Sequence, residues 1–220
     1  MAQAAAIGPG PQPGLIGPNA ILRVAESLRA SGASAECEAV FRRAALDAYL
    51  DDPPAAMVPE DEVRRLHRAL RDELGVRRAA EVAMDAGRRT GDYLLAHRIP
   101  RPVQVLLKSL PPDWSARLLL RAIGRHAWTF AGSGSFTASA GRPVILRIEH
   151  NPMCAGLQAD EPSCFFYAAT FERLFAELVH RRSKVVETAC EAAGAAGCRF
   201  ELRWDDAAAQ QTAAHVRARG

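Results

Sequence analysis

The hydrophobic period of this chain changes at Gly124. Upstream, apolar residues recur every three to four positions, the spacing that lays one stripe along a helix; downstream they alternate, the spacing of a strand with one buried face. Ile21, Leu22, Val24, Ala25 and Leu28 mark a first helix, with Asn19 as its N-cap. Glu36 to Leu50 reads as a second, stopped by "DDPP". "PEDEVRRLHRALRDELG" opens with proline and acids and closes on Gly75, and "VRRAAEVAMDAGRRTGDYLLAHRIP" continues helically through Gly87 and Gly91. "RPVQVLLKSL" and "DWSARLLLRAIG" add two short helices parted by prolines.

Beyond Gly124, "HAWTFAGSGSF" alternates, with His126, Trp128, Phe130 and Phe136 on one face, and predicts a strand. "VILRIEH" predicts a second, "SCFFYAATFERLFAELVHRR" a helix, and "KVVETAC" and "CRFELRW" two closing strands. The order is an α+β pattern: N-terminal helices, then two hairpins joined by a helix, which together make a four-stranded antiparallel sheet. Residues 1–18, rich in Gly, Pro and Ala, read as a disordered leader, 19–205 as a single domain and 206–220 as a flexible tail.

An apolar content of 49% with 24% charged residues suits a soluble globular chain. The excess of three basic residues gives no reason to invoke nucleic acid. No basic segment leads into an apolar core near the start, and no apolar run approaches the ~18 residues of a membrane span, so a cytoplasmic protein is expected. Five cysteines in a reducing compartment favour thiols or metal ligation over a disulfide framework.

Three of the candidate metal ligands surround one turn: Glu187, Cys190 and Cys198. Zinc takes about four such ligands in a tetrahedron, and the fourth could be Cys164 or, in "HNPMC", Cys154. On an ideal strand Glu187 and Cys190 point to opposite faces, so they reach one ion only if the chain bends between them. The plainer alternative is that these cysteines are small buried hydrophobes.

"VVETACEAAGAAGCRFEL", with "SCFFYAATFERLFAEL" before it, resembles the 4-vinyl-reductase domain family, which also supplies the sensing domain of aromatic-responsive transcription activators and is related in fold to vesicle-tethering TRAPP subunits. In its sensor members a structural zinc is held by a cysteine early in the helix and by Glu-x2-Cys-x7-Cys in the hairpin. The resemblance thus implies Cys164, Glu187, Cys190 and Cys198 as ligands here. The stretches "LIGPNAILRVAESL", "ELGVRRAAEVAMDAGRRTGDYLLAHRIP" and "HAWTFAGSGSF" extend the resemblance, toward the bacteriochlorophyll-biosynthesis branch of that family, to residues 15–205.

That branch implies a chlorophyllide-type tetrapyrrole as ligand and, by its name, reduction of the 4-vinyl (8-vinyl) group of a protochlorophyllide or chlorophyllide. A reductase needs a nicotinamide, flavin or iron–sulfur site. The one glycine-rich candidate, "FAGSGSF", sits in an alternating stretch rather than at the strand-to-helix turn of a dinucleotide fold. The residues therefore favour a pigment carrier or accessory to vinyl reduction over a reductase with an external donor, and over a small-aromatic sensor or scaffold. A flat apolar guest would lie against Trp128, Phe130, Phe136, Leu119, Ile123 and Phe165, with His126 or His150 as a candidate axial ligand. Candidate partners are the pigment, other enzymes of that pathway and a second copy of the chain, at the surface of the photosynthetic membrane.

Overall fold

A computed structural model describes residues 14–204; the expected leader over 1–13 and tail over 206–220 lie outside them. Residues 14–18, counted with the leader, are part of the body: β1 (Leu15–Ile16) pairs antiparallel with β2 (Val58–Pro59) and Ile16 is buried. Between them run α1 (Asn19–Ala30) and α2 (Ser34–Arg43). Asn19 is not the cap expected of it. Pro18, already in the helical region, precedes the first turn, its carbonyl accepting from Ile21 and Leu22, while the Asn19 side chain accepts from Arg23 Nε at 3.2 Å.

The second expected helix also ends early. Ala45 turns left-handed at φ 55°, Leu46 N–H donates back to the Phe41 carbonyl at 2.9 Å, and Leu46 is buried. This is the helix stop usually built on glycine, here carried by alanine because burying Leu46 offsets the strain. A single 3₁₀ turn, Asp47–Leu50, follows.

α3 (Glu60–His97) is the spine of the molecule, broken at Gly75, where φ 72° and ψ 164° leave the helical region. That conformation is open to glycine alone at little strain. α4 (Arg101–Ser109) and α5 (Pro112–Arg125) then fold back on each other across the Leu110–Pro111 corner.

The stretch 126–136 departs from the expected strand. Trp128–Ala131 forms one helical turn, α6, and β3 (Ser135–Ser139) begins only afterwards. The alternation of "AGSGS" comes from small residues, which carry no burial preference strong enough to impose a strand. A tertiary contact decides instead: Glu60, at the start of α3, accepts hydrogen bonds from both the backbone N–H and the hydroxyl of Ser133, each at 2.7 Å.

The rest of the sheet is as the alternation demands. β4 (Val144–Glu149), α7 (Phe165–Leu178), β5 (Lys184–Ala189) and β6 (Cys198–Arg203) follow, and the strands lie in the order β3-β4-β6-β5, all antiparallel. Val144, Leu146 and Ile148 face Leu202, Phe200 and Cys198 across the central pair, all fully buried. The fold is α+β, with its helices mostly N-terminal.

α3 and α7 pack closely because Gly87 and Gly91 face α7. A Cβ at Gly87 would stand 2.3 Å from the Phe166 carbonyl oxygen, and one at Gly91 would stand 2.7 Å from Arg173 Cβ. Thr170 uses the proximity, donating to the Gly87 carbonyl at 3.1 Å.

Candidate metal centre

The turn between β5 and β6 carries Cys190 and opens onto Cys198, the first residue of β6. Between Glu187 and Ala189 the pairing with β6 slips, so that Glu187 faces Phe200 and Ala189 faces Arg199. This bulge resets the parity that would otherwise send Glu187 and Cys190 to opposite sides. Cys164 caps α7 and points into the same space.

Cys154 completes the group, delivered by a tight loop after β4. Its backbone N–H donates to the Asn151 carbonyl at 3.2 Å, and both Glu191 carboxylate oxygens accept from that loop, from His150 N at 2.6 Å and Asn151 N at 2.9 Å. His150 itself is exposed, at φ 54°.

Cys154, Cys164, Cys190 and Cys198 are all buried, all free thiols, and their sulfurs lie within 4.8 Å of one another. The separations are 3.4 Å for Cys154–Cys198, 3.6 Å for Cys164–Cys198, 3.7 Å for Cys164–Cys190 and 3.8 Å for Cys190–Cys198. Four sulfurs about 2.3 Å from a tetrahedral zinc stand about 3.8 Å apart, so the thiols already occupy the corners such an ion requires. The donor set could hold a metal.

Hydrogen bonds among the sulfurs split their affinities for protons. Those from Cys154 and Cys164 hold Cys190 and Cys198 below the ordinary thiol range, and Cys164 in turn is pushed well above it. The group titrates as a unit with thiolate character already present.

Glu187 stands beside the sulfurs rather than among them. Its Oε2 accepts the Cys164 backbone N–H at 2.7 Å and its buried Oε1 has no partner. Burial, with the charge of Cys190 adding to it, pushes its carboxyl up to about 9.

Asn151 is the residue that spacing did not single out. Its amide nitrogen lies 3.3 Å from both Cys164 and Cys198 sulfurs, and its oxygen accepts from Met153 N at 3.0 Å. A fully buried amide donating to two sulfurs neutralises thiolate charge. The only sequence signal was the Asn-Pro turn in "HNPMC".

The expected walls of a ligand pocket do not meet around one cavity. Phe130 and Phe136 pack edge to face at 5.2 Å and join Tyr167, Phe171 and Phe200 in a continuous aromatic core. Leu119 is buried beneath α5, Ile123 is half-buried, and Trp128 and His126 face solvent. Phe165 does line a cleft, between α3 and the start of α7, together with His67, Leu70, Arg71, Met153 and Phe166. The cleft holds about 30 Å³, room for a water or two. At its base His67 contacts the Phe166 ring edge to face at 5.6 Å, and burial lowers its pKa to about 4.

Residues 144–204, from β4 to the end of β6 and so including every member of the cysteine group, match the 4-vinyl-reductase domain. Over 187 residues the chain is 47% identical to the bacteriochlorophyll synthase 23 kDa chain of Cereibacter sphaeroides, spanning 85% of this chain and 89% of that one. The protein of the same name from Rhodobacter capsulatus is 43% identical over 188 residues, 85% of this chain and 86% of its own. Among solved structures, an H-NOX protein from S. oneidensis in the Fe(II)NO ligation state superposes with a TM-score of 0.52 at 12% identity, over 87% of this chain and 100% of that one, a likeness of fold alone. Identity at this level over most of both chains places the protein in the family of the bacteriochlorophyll synthase 23 kDa chain.

Proposed function

We propose that the chain binds a chlorophyllide-type tetrapyrrole in bacteriochlorophyll biosynthesis, as a pigment carrier or an accessory to vinyl reduction. The observation that carries this reading is the 47% identity to the bacteriochlorophyll synthase 23 kDa chain over 187 residues. The geometry supports the cleft between α3 and α7 as the place of the guest. A chlorin asks for apolar walls, a cation for its carboxylate edge and a ligand for its magnesium; Leu70, Phe165 and Phe166 supply the first, Arg71 the second and the neutral His67 ring the third. A ligand of that size needs ~300 Å³ or more, so binding widens the cleft, and the break at Gly75 beside it is the point about which the first half of α3 can swing.

The four cysteines hold a structural zinc in this reading. With four protein ligands the ion keeps no open position for chemistry, so its contribution is to tie the β5–β6 hairpin, the loop after β4 and the start of α7 into one unit at the rear of the cleft.

An absorbance titration tests the function. Purified chain added to chlorophyllide should produce a saturable red shift of the pigment bands; a spectrum unchanged by protein overturns the reading. Divinyl chlorophyllide and NADPH with this protein alone should remain unconverted. Conversion with no second protein present would make the chain the reductase itself.

A further inference from the structure

The α4–α5 hairpin is built differently from the rest of the surface. It anchors to the body through Leu107, Ala116, Leu119 and Leu120, all buried, and through Ser115, whose hydroxyl donates to the Leu178 carbonyl at the end of α7 at 2.9 Å. Its outward side is apolar. Of the eight large hydrophobic side chains exposed among the described residues, five lie between 103 and 118: Val103, Val105, Leu106, Trp114 and Leu118, with Val105 68% and Trp114 63% exposed. A concentration of this kind is unusual for a solvated helix pair.

Charge accompanies it. Residues 98–128 hold six basic and one acidic side chain, a net +5 in a chain whose total is +3, so everything else sums to −2 with histidine neutral. The single acid, Asp113, is bridged to Arg142 at 2.9 Å. On α5 the residues Trp114, Arg117, Leu118, Arg121 and Arg125 are spaced at three- and four-residue intervals and are all exposed, so aromatic, aliphatic and guanidinium groups share one outward stripe. The Arg117 guanidinium lies 5.6 Å from the Trp114 ring.

We infer that the α4–α5 hairpin docks this protein onto an anionic lipid bilayer, with Val105, Leu106, Trp114 and Leu118 entering the headgroup boundary and Arg117, Arg121 and Arg125 meeting lipid phosphates. The chemistry selects that occupant: a short helix pair with apolar side chains, a tryptophan and arginines on one side lies in an interface plane. A helix long and apolar enough to cross a membrane is absent among the described residues, so the attachment is shallow and reversible. The positive charge localised on one hairpin of an otherwise slightly acidic molecule orients it on a negative surface.

Vesicle co-sedimentation of the full chain tests this. Equimolar phosphatidylglycerol and phosphatidylcholine should pellet the protein, phosphatidylcholine alone should leave it in solution, and ~1 M salt, with a Debye length of ~3 Å, should release it. The surface variant R117E/R121E should lose at least about tenfold in vesicle affinity, and Leu106→Asp should weaken binding while leaving the far-ultraviolet circular dichroism unchanged. On the wild type, brominated anionic lipid should quench tryptophan emission, and Trp114→Phe should remove most of that quenching. Failure to pellet with anionic vesicles, equal binding to neutral ones, or wild-type affinity in R117E/R121E each overturns the inference; absence of lipid binding would assign the hairpin to a protein partner.

Discussion

Glu187 accepts the backbone N–H of Cys164 at 2.7 Å, tying the bulged strand β5 to the first residue of α7 from beside the sulfur group. A carboxylate in that position supports the metal's neighbourhood without completing its tetrahedron, since Cys154 supplies the fourth corner. The two variants Glu187→Gln and Cys154→Ser therefore separate. The glutamine keeps an oxygen for the Cys164 N–H and should retain about one equivalent of zinc, whereas the serine should fall well below it in metal analysis. Zinc loss in Glu187→Gln with retention in Cys154→Ser would restore the carboxylate as ligand.

Asn151 tests whether the sulfurs need outside donors. Asn151→Leu keeps the volume but removes both N–H···S contacts and the acceptor for Met153 N–H. Loss of such a supporting donor typically lowers metal affinity by about 10- to 100-fold. Competition with a chromophoric chelator should read a weakening in that range, and an unchanged affinity would show the amide to be packing alone.

What the sequence could announce depended on how local the cause was. The strands β4 and β6 are legible because every second residue, Val144 to Ile148 and Cys198 to Leu202, is large, apolar and buried. Likewise, the hairpin cysteines are legible through their shared turn. By contrast, the fold of 126–136 is set by Glu60, more than seventy positions upstream, and the end of α2 by the burial of Leu46. Neither leaves a local pattern. Cys154 and Asn151 join the site only through the Glu191 carboxylate, which clamps their loop from across the sheet, and no spacing rule connects residues so far apart in the chain.

Close packing of α3 on α7 makes Gly87 sensitive to a single methyl group. Alanine in an exposed helix gains about 1 kcal/mol over glycine, but at Gly87 the new Cβ meets the Phe166 carbonyl oxygen at 2.3 Å, a backbone atom that cannot rotate away. Overpacking of this kind costs ~1–3 kcal/mol. Denaturant unfolding should show Gly87→Ala to be less stable than wild type. Gly124→Ala on α5, where nothing stands within 4 Å of the new Cβ, should be more stable. Two stabilised variants would mean that the helices separate without penalty.

Acid should act on the fold through His67. An unfolded histidine takes up its proton near pH 6.5, but burial keeps His67 neutral down to about 4, its Nε2 lying 3.3 Å from the Ala20 carbonyl. Between those values the unfolded chain holds the extra proton, so falling pH favours unfolding. The contribution is fully present above pH 6.5 and is lost as pH drops toward 4, amounting in all to about 3 kcal/mol. His67→Gln retains an N–H for the Ala20 carbonyl and does not titrate. Its unfolding free energy should therefore decline less steeply than that of the wild type across this window in urea melts, while any acid release of metal from the cysteines affects both proteins alike. Parallel slopes for the two would mean that His67 is protonated within the fold, and the neutral ring assigned to the base of the cleft would no longer stand.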